Sequence, residues 1–323
     1  MKGRQEWRGA VVTRAQSIAD GIRLIEFAVE GGLPPFEPGS HVSVEVMIEG
    51  APAIRSYTCV SSDAGHIRLA VKRHENSRGG SRFMWTLVEG ARLRITLPEN
   101  RFALSWRASS YLLLAGGIGI TPIYGMAKAL SVRARPVRLA YAASTRGELA
   151  FAGELSELMG TDAEFFVSEE GRRIDLAAEF AELPPDGEAY ICGPLGMLNA
   201  AKAAWAATGR PSSRLRFEVF GDSGERPEVP FSVEIAGIGK RVDVASDQSL
   251  LDALNAAGVD MIWDCLRGEC GLCAVDIVEL NGELDHRDVF FSDEEKREQR
   301  RMCTCVSRLA GGSAIIDTGY RKS

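Results

Sequence analysis

Three thiols within nine residues, Cys265-Leu-Arg-Gly-Glu-Cys270-Gly-Leu-Cys273, are the densest chemistry in this sequence. Their spacing is C-x4-C-x2-C, and a further pair, Cys303-Thr-Cys305, follows after 29 residues. Thiolates are soft ligands suited to iron in a sulfide core. This spacing is that of a loop wrapping a 2Fe–2S cluster, with a later cysteine completing the four thiolates. Gly268 and Gly271 fit the same reading, because the loop must turn backbone N–H groups toward the sulfurs. A four-cysteine zinc site usually presents paired C-x2-C hooks, and here one x4 gap precedes the one x2 gap. A lone cysteine would read as core packing; three this close do not.

Two further stretches suit phosphates. Arg55-Ser-Tyr-Thr58 sets a guanidinium, a phenol ring and hydroxyls at the start of a strand, and Ser77-Arg-Gly-Gly-Ser81 is a glycine-rich loop bearing hydroxyls. Successive backbone N–H groups in such a loop form a nest for an anion. Each alone is more often an ordinary strand end or turn. Together they point to a phosphate carrying a planar group. Farther on, the apolar run Tyr111–Ala115 leads into Gly116-Gly-Ile-Gly-Ile-Thr-Pro122. Glycines between a strand and a helix let a pyrophosphate approach the helix N-terminus. The letters depart from G-x-G-x-x-G, so the placement carries this reading.

The elements that must position these groups fall into three blocks. Residues 1–108 show six short strands: Gly9–Ser17, Ile22–Val29, His41–Ile48, Ser56–Val60, His66–Lys72 and Arg92–Leu97. Strands so spaced, with Gly and Pro turns between them, predict a small antiparallel β-barrel. Residues 109–222 alternate strands (Tyr111–Ala115, Val137–Ala142, Ala163–Val167, Glu188–Cys192, Leu215–Phe220) with helices (Ile123–Ser131, Glu148–Met159, Leu176–Leu183, Gly196–Thr208). That alternation predicts a doubly wound parallel α/β sheet. A Gly-, Pro- and charge-rich linker, 223–230, precedes the third block, 231–323. There a hairpin (Val233–Ile235, Lys240–Val244), a helix (Ser249–Ala257), the cysteine loop and the strands Val275–Glu279 and Ala314–Thr318 predict an α+β fold of β-grasp type. Ser292-Asp-Glu-Glu295 reads as a capping box opening a charged helix over Asp293–Arg300.

At 323 residues the chain can hold two or three domains with separate cores. A net charge of −6 without a Lys/Arg block argues against a nucleic-acid partner. No run reaches the roughly 18 apolar residues of a membrane helix. Met1–Arg8 is polar, and the seven cysteines without a signal peptide suggest a reducing, cytoplasmic location. The four histidines (His41, His66, His74, His286) are scattered and read as structural or surface groups.

With Cys192-Gly-Pro194 and Phe217-Glu-Val-Phe-Gly221 added, the motifs stand in a familiar order. The chain resembles the phthalate dioxygenase reductase family, which includes the vanillate demethylase reductases. These are iron–sulfur flavoproteins related to ferredoxin–NADP reductases. The likeness covers essentially the whole chain: flavin barrel, nicotinamide domain, plant-type 2Fe–2S ferredoxin domain. It implies an NADH-dependent reductase that sends electrons through FMN and a 2Fe–2S cluster to a Rieske-type non-haem iron oxygenase, in a demethylating or ring-hydroxylating system. A reductase for another acceptor such as a haem monooxygenase, FAD in place of FMN, or a non-catalytic electron carrier stay open at this point.

The resemblance also assigns residues. Arg55 would meet the FMN phosphate, Tyr57 would lie along the isoalloxazine, and Ser56 belongs to the same cofactor-binding strand. Thr58 takes a hydroxyl position near flavin N5 that is Ser in many relatives. Val71 and Lys72 would face the pyrimidine edge through backbone groups, and Gly79, Gly80 and Ser81 the phosphate. Gly116, Gly117 and Gly119 would face the dinucleotide pyrophosphate, with Thr121 near both cofactors. Cys192, Gly193 and Pro194 would border the nicotinamide, and Phe220 would cover the flavin face on which it stacks; the bland reading of Phe220 is a core side chain ending a strand. Thr58, Cys192 and Phe220 are thereby the catalytic candidates. Glu169 follows a strand where phosphate-selective relatives carry Ser-Arg; a carboxylate suits a ribose 2′-OH and favours NADH, while Arg172 and Arg173 weigh the other way. Cys265, Cys270 and Cys273 would ligate iron. The gap length favours Cys303 as the fourth ligand, but Thr304-Cys305-Val306 is similar to the closing strand of plant-type ferredoxins, and Cys305 is preferred.

Overall fold

The structure is a computed structural model describing residues 6–63, 66–74, 79–220, 229–246, 248–266 and 268–319, with backbone alone for 61–63 and 293. Ser77 and Arg78 of the hydroxyl-bearing loop, Gly221, and residues 223–228 of the expected linker lie outside these. The chain divides into two compact units, Met1–Glu218 and Val219–Ser323.

The first unit opens with β1 (Trp7–Ala19), β2 (Ile22–Val29), β3 (Ser40–Ile48), β4 (Ala51–Thr58), β5 (Ser61–Asp63), β6 (His66–Lys72), α1 (Gly80–Thr86), β7 (Arg92–Thr96) and β8 (Glu99–Asn100). Among the described residues the strands pair antiparallel in the order β4-β3-β7-β1-β2-β6-β5, with β8 beside β3. Alternating side chains turn inward to a core that includes Val12, Phe27, Val44, Ile67 and Ile95. β4 begins well before the expected Ser56. Pro52 argues against a strand interior, but β4 ends the sheet order, and proline is accommodated on edge strands. Glu49 and Gly50, both at positive φ, turn the β3–β4 hairpin.

β9 (Tyr111–Gly116), α2 (Ile120–Val132), β10 (Val137–Ala143), α3 (Ala152–Met159), β11 (Ala163–Val167), α4 (Leu176–Glu182), β12 (Glu188–Gly193), α5 (Leu195–Ala207) and β13 (Leu215–Val219) follow. The sheet order is β11-β10-β9-β12-β13, and β9 to β12 run parallel. β9 is buried along its whole length, as an apolar strand covered on both faces must be. From β9 the chain steps outward to β10 and β11, then returns to lay β12 on the other side of β9. This reversal makes a switch point between β9 and β12. The helix expected from Glu148 starts instead at Ala152. Leu149, Ala150 and Phe151 are all buried, and three successive helical residues could not face one core. Phe151 adopts φ 63 and sets its ring 4.8 Å from Tyr124.

The second unit contains β14 (Phe231–Ile235), β15 (Lys240–Val244), α6 (Leu250–Ala256), β16 (Ala274–Asp285), α7 (Asp293–Glu298), β17 (Arg301–Cys303) and β18 (Arg308–Asp317). The order is β15-β14-β18-β16-β17, a mixed sheet in which β14 and β18 run parallel. β16 and β18 are longer than their apolar runs predict, because Gly282 pairs across the ladder with Gly312 and carries both strands through an interruption. The capping box at Ser292 is present: the Glu295 N–H donates to Ser292 Oγ (3.3 Å), and the Ser292 N–H donates back to Glu295 Oε2 (2.9 Å). Among the described residues no helix is long and apolar enough to cross a membrane.

Candidate functional site

In the second unit the segment from α6 to β16 carries Cys265, Cys270 and Cys273, β17 ends on Cys303, and the turn into β18 carries Cys305. The β16–β17 pairing sets Ala274 opposite Cys303 and so brings the two cysteine segments together. Thr304 fastens them: its N–H (3.2 Å) and its hydroxyl (2.9 Å) both donate to the Cys273 carbonyl. The Cys273 sulfur accepts from Cys303 and from Cys305, which hold its pKa down to about 3 against burial. Cys305 reaches Cys265 as well as Cys273, and giving its proton to those sulfurs pushes its own thiol up. Cys303, pushed up in the same way, reaches Cys273. Cys303 and Cys305 thus both lie beside Cys273, and both feel Cys265.

Burial lifts the Cys270 thiol against backbone hydrogen bonds from Cys265 and Leu272, and the Glu269 N–H donates to Cys265 Sγ at 3.4 Å. Loop N–H groups therefore do point at sulfurs. Gly271 is where glycine is required: φ is +71°, and a side chain would overlap the Phe290 ring. Leu251, Phe291 and Val306 pack with Cys273, Cys303 and Cys305 in one apolar cluster. Among the described residues, no three His, Cys, Asp or Glu side chains focus on one single-ion position. A 2Fe–2S core instead takes two thiolates on each iron, and paired sulfurs with backbone donors in an apolar shell fit that group.

In the first unit the switch point lies where the β9 and β12 ends meet, with Ala115 beside Cys192. A Cβ on Gly116 would come within 2.7 Å of Pro194 Cδ, and one on Gly119 would overlap the Cys192 carbonyl. The two glycine turns close on each other with no room for side chains, which leaves backbone N–H groups facing the crevice. Cys192 is fully buried here, and the buried Thr121 hydroxyl donates to the Ile118 carbonyl at 3.1 Å. Glu169 follows β11 and accepts the Arg146 N–H at 3.1 Å. The Arg146 guanidinium forks onto Glu170 (2.8 and 2.7 Å), and Arg172 is committed to Glu164 at 2.7 Å. Of the two arginines that weighed toward a phosphorylated ribose, Arg172 is thus already paired.

The two phosphate motifs of the barrel converge. A Cβ on Gly80 would lie 2.9 Å from Arg55 Cγ, so the arginine stem rests on the Gly79-Gly80 turn. Next to it, Ser81 Oγ is buried with no hydrogen-bond partner among the described residues. An orphan hydroxyl and a guanidinium beside a glycine turn are the donors a phosphate needs. Tyr57 lies on the same strand as Arg55; enclosure pushes its hydroxyl above the usual tyrosine range, and the Arg55 charge opposes this. At the end of β6 the Val71 carbonyl already accepts the Trp85 indole N–H (3.0 Å), and Lys72 pairs with Glu148 (3.1 Å). Ser56 stands opposite Ser43 on the same hairpin, and half-buried Phe220 directly follows β13.

Thr58 is buried, with Oγ1 2.9 Å from His41 Nε2, and that nitrogen is 2.8 Å from Glu218 Oε1. The sequence reading named neither His41 nor Glu218 as a site residue. The signal lies in the hairpin register, which sets His41 directly opposite Thr58 and is lost when β4 is taken to start at Ser56.

Three family descriptions match this chain: oxidoreductase FAD-binding domain over residues 9–104, oxidoreductase NAD-binding domain over 113–203, and 2Fe-2S iron-sulfur cluster binding domain over 233–310. The heme-dependent oxidative N-demethylase beta subunit of Ectopseudomonas mendocina (strain ymp) is 35% identical over 90% of this chain and 92% of its own length. Phthalate dioxygenase reductase of Burkholderia cepacia is 33% identical over 88% of each chain. A solved structure of phthalate dioxygenase reductase superposes with a TM-score of 0.82 at 30% identity, across 96% of this chain and 98% of that one. The three domains are therefore those of an oxidoreductase that uses a flavin, a nicotinamide nucleotide and a 2Fe–2S cluster.

Proposed function

The chain belongs to the phthalate dioxygenase reductase family, and from that premise we propose that it is the NADH-dependent reductase component of a Rieske-type oxygenase system, with FMN as its flavin. The domain limits we assign are 1–108 for the flavin barrel, 109–222 for the NAD domain, 223–230 for the linker and 231–323 for the ferredoxin domain; the family matches fall inside them. The observation that carries the proposal is the packing of Cys273, Cys303 and Cys305 in one cluster, following a loop with two more thiols, in a chain that also has a nucleotide switch point. A nicotinamide donor gives electrons in pairs, and a cluster is needed only where they must leave singly. When bound, the flavin takes up a pair and the 2Fe–2S core exports one electron at a time.

The chain's own residues bind and orient. Arg55 and Ser81 hold the flavin phosphate, Tyr57 lies along the ring, and Thr58 offers a hydroxyl beside it. Gly116, Gly117 and Gly119 open the approach for a pyrophosphate, and Cys192, Gly193 and Pro194 border the nicotinamide. Glu169 receives the ribose 2′-OH and repels a 2′-phosphate, which selects NADH. Cys265, Cys270, Cys273 and Cys305 hold the irons. All seven cysteines stand outside disulfides, which suits a reducing cytoplasm.

The acceptor has a second reading, a haem enzyme, favoured by the 35% identity to a relative named as part of a heme-dependent N-demethylase. The deciding experiment is the visible spectrum of anaerobically purified protein before and after stoichiometric NADH, followed by transfer to a purified Rieske oxygenase and to a haem monooxygenase. Flavin and iron–sulfur bands that both bleach, with faster transfer to the Rieske partner, support the proposal. Faster transfer to haem selects the second reading, and a colourless protein overturns both.

A further inference from the structure

We infer that His41 is a positioning residue for the flavin site: paired with Glu218, it turns the Thr58 hydroxyl so that its proton points away from the imidazole and toward the flavin. The inference rests on the reading of Thr58 as the hydroxyl beside the flavin.

The direction of one proton is fixed by the geometry around His41. His41 and Thr58 are directly opposite on β3 and β4, so their side chains meet on one face. One nitrogen, His41 Nε2, lies 2.9 Å from Thr58 Oγ1 and 2.8 Å from Glu218 Oε1. An imidazole nitrogen carries at most one proton, and a carboxylate can only accept. Were Nε2 bare, its lone pair would face the carboxylate oxygen at 2.8 Å across a buried gap. The proton therefore sits on Nε2 and is drawn to Glu218, the charged acceptor making the stronger bond. A protonated Nε2 cannot accept from Thr58, so the threonine proton is turned away from the ring.

Burial makes this a fixed setting. Thr58, His41 and Glu218 are 4%, 3% and 2% exposed, so water does not substitute for a missing partner. Glu218 comes from β13 and His41 from β3, so the pair also fastens barrel to α/β sheet. A purely bracing role is the alternative the test must separate.

The test uses the full-length, flavin-loaded protein and two readouts, the anaerobic stopped-flow rate of flavin reduction by NADH and the flavin midpoint potential. Thr58→Val and His41→Leu should each slow reduction about tenfold, the worth of one hydrogen bond, and shift the potential in the same direction. The double variant should be no slower than either single one, because both remove the same interaction. His41→Gln, whose amide N–H can donate to Glu218, should recover to within about threefold of wild type. Where His41→Leu fails to fold because it takes a hydrogen bond from a buried carboxylate, His41→Leu with Glu218→Leu replaces it. Losses that multiply to about a hundredfold in the double variant, or an unchanged rate and potential in the His41 variants, overturn the inference while leaving the flavin site in place. Wild type and Thr58→Val that reduce at the same rate and potential overturn the reading of Thr58 itself.

Discussion

The cluster loop and the dinucleotide crevice solve opposite problems. The loop of the second unit is defined by what its side chains are: sulfurs, fixed in identity, gathered by strand pairing and by Thr304. The crevice of the first unit is defined by what its side chains are not. Gly116, Gly119 and Gly193 leave space, and the working groups are backbone N–H groups at the ends of β9 and β12. A site built from ligand atoms fails all at once when one is removed. A site built from cleared space fails by degrees, according to how much is filled back in.

The largest effect should come from the loop. Cys305→Ser should bring iron and acid-labile sulfide to near zero and cut cytochrome c reduction more than a hundredfold, while NADH still bleaches the flavin. Cys303→Ser should keep the cluster, and the opposite pattern in a sulfide assay would exchange the two cysteines. In the crevice, Gly119→Ala drives a methyl into the Cys192 carbonyl, a misfit of about 1–3 kcal/mol. Melting should fall by several degrees and the KM for NADH should rise, with the cluster spectrum intact; loss of the cluster as well would break the contrast between the regions. Arg55→Ala removes a charge-assisted contact of roughly 1.5–3 kcal/mol, so apoprotein should bind FMN about 10- to 100-fold more weakly by fluorescence titration. The smallest change is Glu169→Gln, which should narrow the NADH over NADPH ratio of kcat/KM by a few-fold, since an exposed carboxylate is screened. An unchanged ratio would assign the preference to other residues.

The same contrast explains what could be read from the residues alone. The order of the first two blocks was legible because each has its own pattern: alternation in β2, and an apolar run at β9 followed by strands interleaved with helices. The cysteine loop was legible because ligand chemistry tolerates few residue types. Arg55 meeting Gly80 was suggested by composition, but only the fold brings the two segments into contact. What escaped depends on register. His41 reads as one histidine among four until β4 is traced through Pro52 to the turn at Gly50, which sets it against Thr58. Glu218 sat inside a quoted motif yet drew no reading, because a glutamate in a strand says nothing of where its carboxylate ends.

The pairing of Cys273 with residues some thirty positions later also orders events during synthesis. Every strand of the nucleotide sheet has left the ribosome by Val219, so the first unit can fold while the rest of the chain is still being made. With Cys305 as the proposed fourth ligand, its counterpart cannot close a four-sulfur set until that residue has emerged and β17 has paired with β16. At translation rates of about 5–20 residues per second, this opens a lag of seconds in which Cys265, Cys270 and Cys273 are present as unclosed thiols. Iron delivered in that interval meets an incomplete site. Growth under iron limitation should therefore accumulate yellow protein before brown.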